Sequence, residues 1–105
     1  MDLNGIQLDN SIIQSFCRRR RIKELFVFGS ILRDDFDDGS DVDFVVRMEE
    51  GVRLRFSELL DMEDELLALV GRPVDIVLGT EIDAPDANPY RRKHILSTMV
   101  PLYVR

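Results

Sequence analysis

Two periods of apolar positions run along this chain, and the switches between them mark its elements. Ile12, Ile13, Phe16 and Cys17 recur at helical spacing, which predicts a helix capped by Ser11, beginning near Ile12 and running through the Arg18–Arg21 block. Leu25-Phe26-Val27-Phe28 is a short apolar run stopped by Gly29-Ser30, the signature of a buried strand. Residues 31–40, rich in Asp and Gly, read as a loop or short helical turn. From Val42 to Val46 the period is two: Val42, Phe44 and Val46 share one face, and Asp41, Asp43 and Val45 the other. Residues 52–70 return to helical spacing through Leu54, Leu59, Leu60, Met62, Leu66, Leu67, Leu69 and Val70, until Gly71 and Pro73 stop it. Val74 to Leu78 predicts a third strand. Asn88-Pro89 predicts a cap and first helical residue for a helix to about Thr98, and the segment from Pro101 to Val104 a short edge strand.

No repeat, low-complexity stretch or linker interrupts this series, so residues 1–105 are expected to form one domain. A long helix between the second and third strands implies a right-handed crossover. The predicted class is α/β, or α+β with a mixed sheet flanked by helices.

Composition narrows the function classes. No apolar run approaches the ~20 residues needed to span a bilayer. The N-terminal residues lack the basic and apolar regions of a secretion signal, and the lone Cys17 has no partner for an internal disulfide. These point to a cytoplasmic setting. The net charge of −6 is concentrated: residues 34–43, DDFDDGSDVD, hold six aspartates and no Lys or Arg, and the other 14 acidic residues balance the 14 basic ones. Such a segment is a poor surface for nucleic acid unless cations intervene, so no direct nucleic-acid partner is expected. A solvated loop, a partner-binding patch and a metal site all remain open.

Asp41 and Asp43, two apart on a strand, project from one face with Cα atoms about 6.5–7 Å apart. Asp75 sits inside the apolar strand Val74–Leu78, where a buried carboxylate needs an Arg, backbone amides or a metal to compensate it. If that strand lies beside residues 42–46, Asp75 completes a three-carboxylate cluster. Three acids that close repel one another unless a divalent cation sits among them, and an all-oxygen set suits Mg²⁺ or Mn²⁺. The strand running into Gly29-Ser30 supplies a complement: a backbone that phosphate can approach, a hydroxyl, and Arg33 one turn on as a charged donor.

Gly29-Ser30, then Asp41-Val42-Asp43 after ten residues, then Asp75 in a later strand, resembles the nucleotidyltransferase superfamily related to the palm of polymerase beta. The short chain is similar to its minimal members, which are commonly paired with a HEPN-domain RNase toxin. The resemblance covers the chain from about residue 24 onward. It implies a palm-like mixed sheet in which Gly29, Ser30, Arg33 and Ser40 bind the nucleotide. Asp41, Asp43 and Asp75 would bind two Mg²⁺ ions, with Asp75 also assisting the attacking hydroxyl. It also implies AMP transfer from ATP to a hydroxyl of a partner, a HEPN-type toxin that is thereby neutralised. Asp34 departs from the pattern, since the family often has Gly there.

Plainer readings stand beside these. Asp34, Asp35, Asp37 and Asp38 read best as a solubilising loop, and a non-catalytic antitoxin would use them to dock on its partner at equal stoichiometry. An EF-hand is excluded because Phe36 and Val45 would occupy ligand positions. Four consecutive arginines at 18–21 point in all directions around a helix, so a solvated or subunit-binding face is expected rather than a nucleic-acid stripe. Arg91, Arg92, Lys93 and His94 likewise predict a solvated or partner-docking face. Cys17, Tyr90 and Tyr103 are expected to pack in the protein, a tyrosine hydroxyl being a conceivable self-modification acceptor.

Overall fold

The computed structural model describes residues 2–105. It opens with a hairpin that the hydrophobic pattern does not announce: β1 (Asp2–Leu3) pairs antiparallel with β2 (Ile6–Gln7). Asn4 and Gly5, at φ 51° and 85°, form the two-residue turn, and Asn-Gly is the pair best able to place both residues at positive φ. The Asp2 carboxylate accepts hydrogen bonds from the Gly5 amide and the Gln7 side chain, both at 2.9 Å.

α1 (Asn10–Arg19) starts before Ile12 because Asp9, not Ser11, caps it, accepting from the amides of Ser11 and Ile12. It stops at Arg19, short of the predicted Arg21. Arg21 turns the chain at φ 58° into β3 (Ile22–Phe28). A single 3₁₀ turn (Gly29–Leu32) and a loop lead to β4 (Val42–Met48). α2 (Phe56–Val70) begins four residues later than predicted, where Glu58 folds back to accept from the Arg55 amide. Gly71, at φ 73°, ends it. β5 (Val74–Leu78) falls as predicted and continues into an unpredicted turn of helix, α3 (Gly79–Ile82). α4 (Pro89–Thr98) is capped by Asn88 as expected, and β6 (Val100–Val104) closes the chain.

β3 to β6 form one mixed sheet in the order β5-β4-β3-β6. β4 runs antiparallel to β3 and parallel to β5, the parallel pair being bridged by α2, and β6 lies antiparallel on the other edge. The strand period decides what each face meets. Val42, Phe44 and Val46 join Ile13, Phe16 and Cys17 of α1 and Met62, Leu66 and Val70 of α2 in the larger core. Val45 and Val77 turn the other way, toward Ile82 and Ile95 of α3 and α4, with Phe26 and Phe28. Cys17 is fully buried, which pushes its thiol up to about 12 and fits the core role expected of it. No helix among the described residues is long and apolar enough to cross a membrane.

The Arg18–Arg21 block is divided. Arg20, half-buried, and Arg19 both donate to Glu65 and so tie α1 to α2, while Arg18, Arg19 and Arg21 keep the solvated face expected of the block. Tyr90 departs from expectation too, standing 85% exposed at the start of α4.

Candidate active site

Asp43 lies in register with Asp75 across the parallel β4–β5 pair and with Phe28 across the antiparallel β3–β4 pair. One row of the sheet thus carries Asp75, Asp43 and the end of β3 side by side, at strand spacings of about 4.8 Å. Asp41 precedes β4 by one residue on the same side. The sheet face is open here: α4 covers the next row, Val45 and Val77, and stops short of the aspartates.

The structure corrects one premise about Asp75. It is exposed, because β5 is an edge strand and nothing covers its row, so burial does not demand a partner for it. Asp43 is the half-buried member. Burial raises its carboxyl above the ordinary value of 3.8. The negative charges of Asp75 and then Asp41 add to the rise, and Arg33 and Arg91 oppose it. Among the described residues none of the three carboxylates has a hydrogen-bond or ion-pair partner in the protein, although eleven of the other acids do. The three side chains splay: no three Asp, Glu, His or Cys groups among the described residues already converge on a metal-sized point. The donor chemistry nevertheless fits a hard divalent cation, with three unpaired oxygen donors of like charge on adjacent backbone positions.

Gly29 acts differently from expectation. It adopts φ 77°, and a Cβ built on it would run into the Oδ2 atom of Asp43. The missing side chain makes room for the carboxylate as well as for any approaching phosphate. Ser30 keeps its hydroxyl near this edge, 3.5 Å from the Asp41 carbonyl oxygen. Arg33 is exposed and its Nε donates to Asp35 at 3.2 Å. Ser40 is turned away from the site, its hydroxyl held in a turn with Asp37: it accepts from the Asp37 amide at 3.1 Å and lies 3.2 Å from the Asp37 carboxylate.

Two residues that support the site escaped the sequence reading. The Asn4 amide donates to the carbonyls of Ile31 at 2.7 Å and Arg33 at 2.9 Å, so the N-terminal hairpin clamps the turn that bears Gly29 and Ser30. The Asn-Gly pair could have signalled the hairpin, but nothing local signalled its target. Arg72 fixes the acidic loop. It lies 4.6 Å from the Phe36 ring centroid, donates to the carbonyls of Asp37 and Ser40, and pairs with Asp38 at 3.5 Å. Asp35, Asp37 and Asp38 therefore serve the loop itself, and only Asp34 of the four is left without such a task. A cavity of about 650 Å³ lies at the opposite end of the sheet between Lys23, Arg47, Arg53, Thr80 and Asp83, and none of the three aspartates lines it. The site is an open shelf.

A shelf of aligned carboxylates beside a Gly-Ser turn, on a mixed four-stranded sheet with helices on both faces, offers the groups that nucleotidyl transfer requires. Residues 10–101 match the nucleotidyltransferase domain family, and the chain belongs to it. Protein adenylyltransferase MntA of Thermococcus cleftensis is 33% identical over 72 residues, covering 69% of this chain and 71% of that protein. A solved minimal nucleotidyltransferase superposes with a TM-score of 0.70 at 29% identity, over 96% of both chains. A chain from the complex of a tri-AMPylated Shewanella oneidensis HEPN toxin with an MNT antitoxin superposes at 0.60 and 16% identity, over 91% of this chain and 70% of that one, a likeness of fold. The protein is thus a nucleotidyltransferase whose relatives are named for AMP transfer to protein, and nucleotide and metal use come with the family in general terms.

Proposed function

We propose that this protein transfers AMP from ATP, with Mg²⁺, to a hydroxyl of a partner protein, and that the partner is a HEPN-type toxin which the transfer neutralises. The observation that carries this is the row of three unpaired carboxylates, Asp41, Asp43 and Asp75, beside the Gly29–Ser30 turn. The likeness to protein adenylyltransferases and to the AMPylated toxin complex supports the choice of acceptor. Cytoplasmic residence and a single working domain over residues 1–105 belong to the same reading.

In this scheme Gly29, Ser30 and Arg33 receive the triphosphate at the end of β3, through a backbone free of a side chain, a hydroxyl and a guanidinium. Asp41, Asp43 and Asp75 would hold the cations, two in this reading, and metal bound there would supply charge neutralisation for the phosphates and for the oxygens of an in-line displacement. Asp75, exposed on the outer strand, faces the side from which an acceptor arrives and accepts its hydroxyl proton. The new bond joins the acceptor oxygen to the α-phosphorus, and the bond to pyrophosphate breaks. Ser40 has no place in this scheme, because its hydroxyl is held within the acidic loop.

The test is the double variant Asp41→Asn with Asp43→Asn, incubated with α-labelled ATP and the partner. Label transfer should fall by about a thousandfold or more while the fold persists. Undiminished labelling sinks the role of this pair. Neutralisation by the double variant at equal stoichiometry alone favours docking, for which Asp34, Asp35, Asp37 and Asp38 stand exposed.

A further inference from the structure

At the end of the sheet away from the carboxylates, the chain between β4 and α2 is neither strand nor helix. Gly51, at φ 79°, turns it, and the Glu49 amide donates to the Arg21 carbonyl at 2.9 Å, which fastens it to the turn before β3. Met48 and residues 51–54 form a wall with a depression on each side. One is the cavity of about 650 Å³. The other, of about 430 Å³, lies toward the end of α1. Leu54, apolar at helical spacing yet outside α2, belongs to this wall. Arg53 lines both depressions, Lys23 the first and Arg21 the second.

The acids of both depressions are already taken. Arg47 pairs with Asp83 at 2.8 Å and with Glu24 at 3.9 Å, Arg105 pairs with Glu49, and Glu58 accepts from the Arg55 amide at 3.1 Å. Arg47 is held in place as well as paired, since a Cβ on Gly79 would come within 2.8 Å of it. Arg21, Lys23 and Arg53 are different. All three are exposed, and among the described residues none of their side chains has a hydrogen-bond or ion-pair partner. Arg21 also holds φ 58°, where a long side chain is uncommon and glycine would be relaxed. The chain thus carries a free guanidinium at a point where backbone geometry argues against one, and an unsatisfied, strained position of this kind points to a ligand.

We propose that the two depressions bind a single-stranded polynucleotide, with its phosphates on Arg21, Lys23 and Arg53 and its bases against the half-exposed Met48, Val52, Leu54 and Leu78. An acidic peptide would satisfy the three cations but leave that apolar wall facing water. The acidic segment that argued against a nucleic-acid partner lies elsewhere. Residues 34–43 lead into the start of β4, and Met48, at its end, stands about 16 Å from Asp43 along the strand. The strand of nucleotides therefore meets the protein at the pole opposite the carboxylates, and its binding is independent of the transfer chemistry.

Fluorescence anisotropy of a labelled ten-nucleotide oligouridylate tests this, in EDTA so that no cation bridges phosphate to the aspartates. Wild type should bind at low salt, and log affinity should fall against log salt with a slope of about −2, as three phosphate contacts on a single strand require. Arg53→Ala should weaken binding about tenfold and flatten the slope. Arg21→Gly should weaken it similarly without lowering Tm, because glycine accepts the positive φ. Lys93→Ala, the same loss of charge on the exposed side of α4, should match wild type. Absence of binding, or binding indifferent to salt, overturns the proposal. So does an equal loss in Lys93→Ala, which would mark a diffuse positive field. Displacement by polyglutamate as readily as by unlabelled oligouridylate overturns it in favour of an acidic protein segment, and equal affinity for the same oligomer in a duplex removes the bases from the apolar wall and overturns it too.

Discussion

β4 presents two faces to two different worlds. Toward α1 and α2 it sends Val42, Phe44 and Val46, all but inaccessible to solvent. Toward α3 and α4 it sends Val45, buried, and then Asp43, half-buried at the rim of an open row. Acids on the two sides differ in the same way. Burial would raise Glu65, but Arg19 and Arg20 prevail and hold it below the usual carboxylate range, whereas Asp43 sits above it among like charges. The sealed face supplies the cohesion that keeps strands in register, and the open face uses that register to hold groups together that would otherwise move apart.

The largest blow to this division should come from Phe44→Ala. It removes a fully buried ring from the sealed face and should cost about 3–5 kcal/mol in denaturant unfolding, with activity lost through unfolding. A loss well under 1 kcal/mol would show that cohesion lies elsewhere. Asn4→Gly is smaller and more local. Glycine tolerates the positive φ at this position, so the change isolates the two hydrogen bonds to Ile31 and Arg33 and should cost about 1 kcal/mol. Amide exchange should quicken in residues 30–33 and ATP binding should weaken; unaltered exchange there would remove the hairpin from the site.

The smallest pair of effects carries opposite signs. Glu65 contributes stability that is present above its unfolded pKa near 4.5 and is lost as pH falls through the lower folded value. Glu65→Gln should therefore lower Tm at neutral pH by a few degrees, about the effect of an exposed ion-pair cluster. Asp43 contributes stability that is present below its unfolded pKa near 3.8 and is lost as pH rises through its higher folded value. Asp43→Asn should raise the neutral-pH Tm of the metal-free protein by about as much, and should blunt the further rise that Mg²⁺ gives the wild type. Two shifts of the same sign would erase the distinction between paired and unpaired acids.

What could be read in the chain followed the reach of each signal. β5 and α4 were legible to the residue because Gly71, Pro73, Asn88 and Pro89 punctuate them locally. The face assignment of β4 was legible because a period of two admits no other arrangement. Asp75 was found by its oddity in an apolar strand, yet its exposure was misjudged, since edge position depends on strand order and not on composition. α2 was drawn too long because Leu54 fits the period although it lies outside the helix. Asn4 and Arg72 act across 27 or more residues of sequence, and a pattern of neighbours carries no trace of such contacts.

The contact between Gly29 and Asp43 ties two stretches of sequence into one heritable unit. The Oδ2 atom of Asp43 occupies the space where a side chain at position 29 would begin, so even alanine there must displace the carboxylate. Drift at either position is then filtered by the other. A lineage that abandons the acid still needs the glycine for its φ of 77°, whereas one that keeps the acid needs it twice over, for the backbone and for the carboxylate.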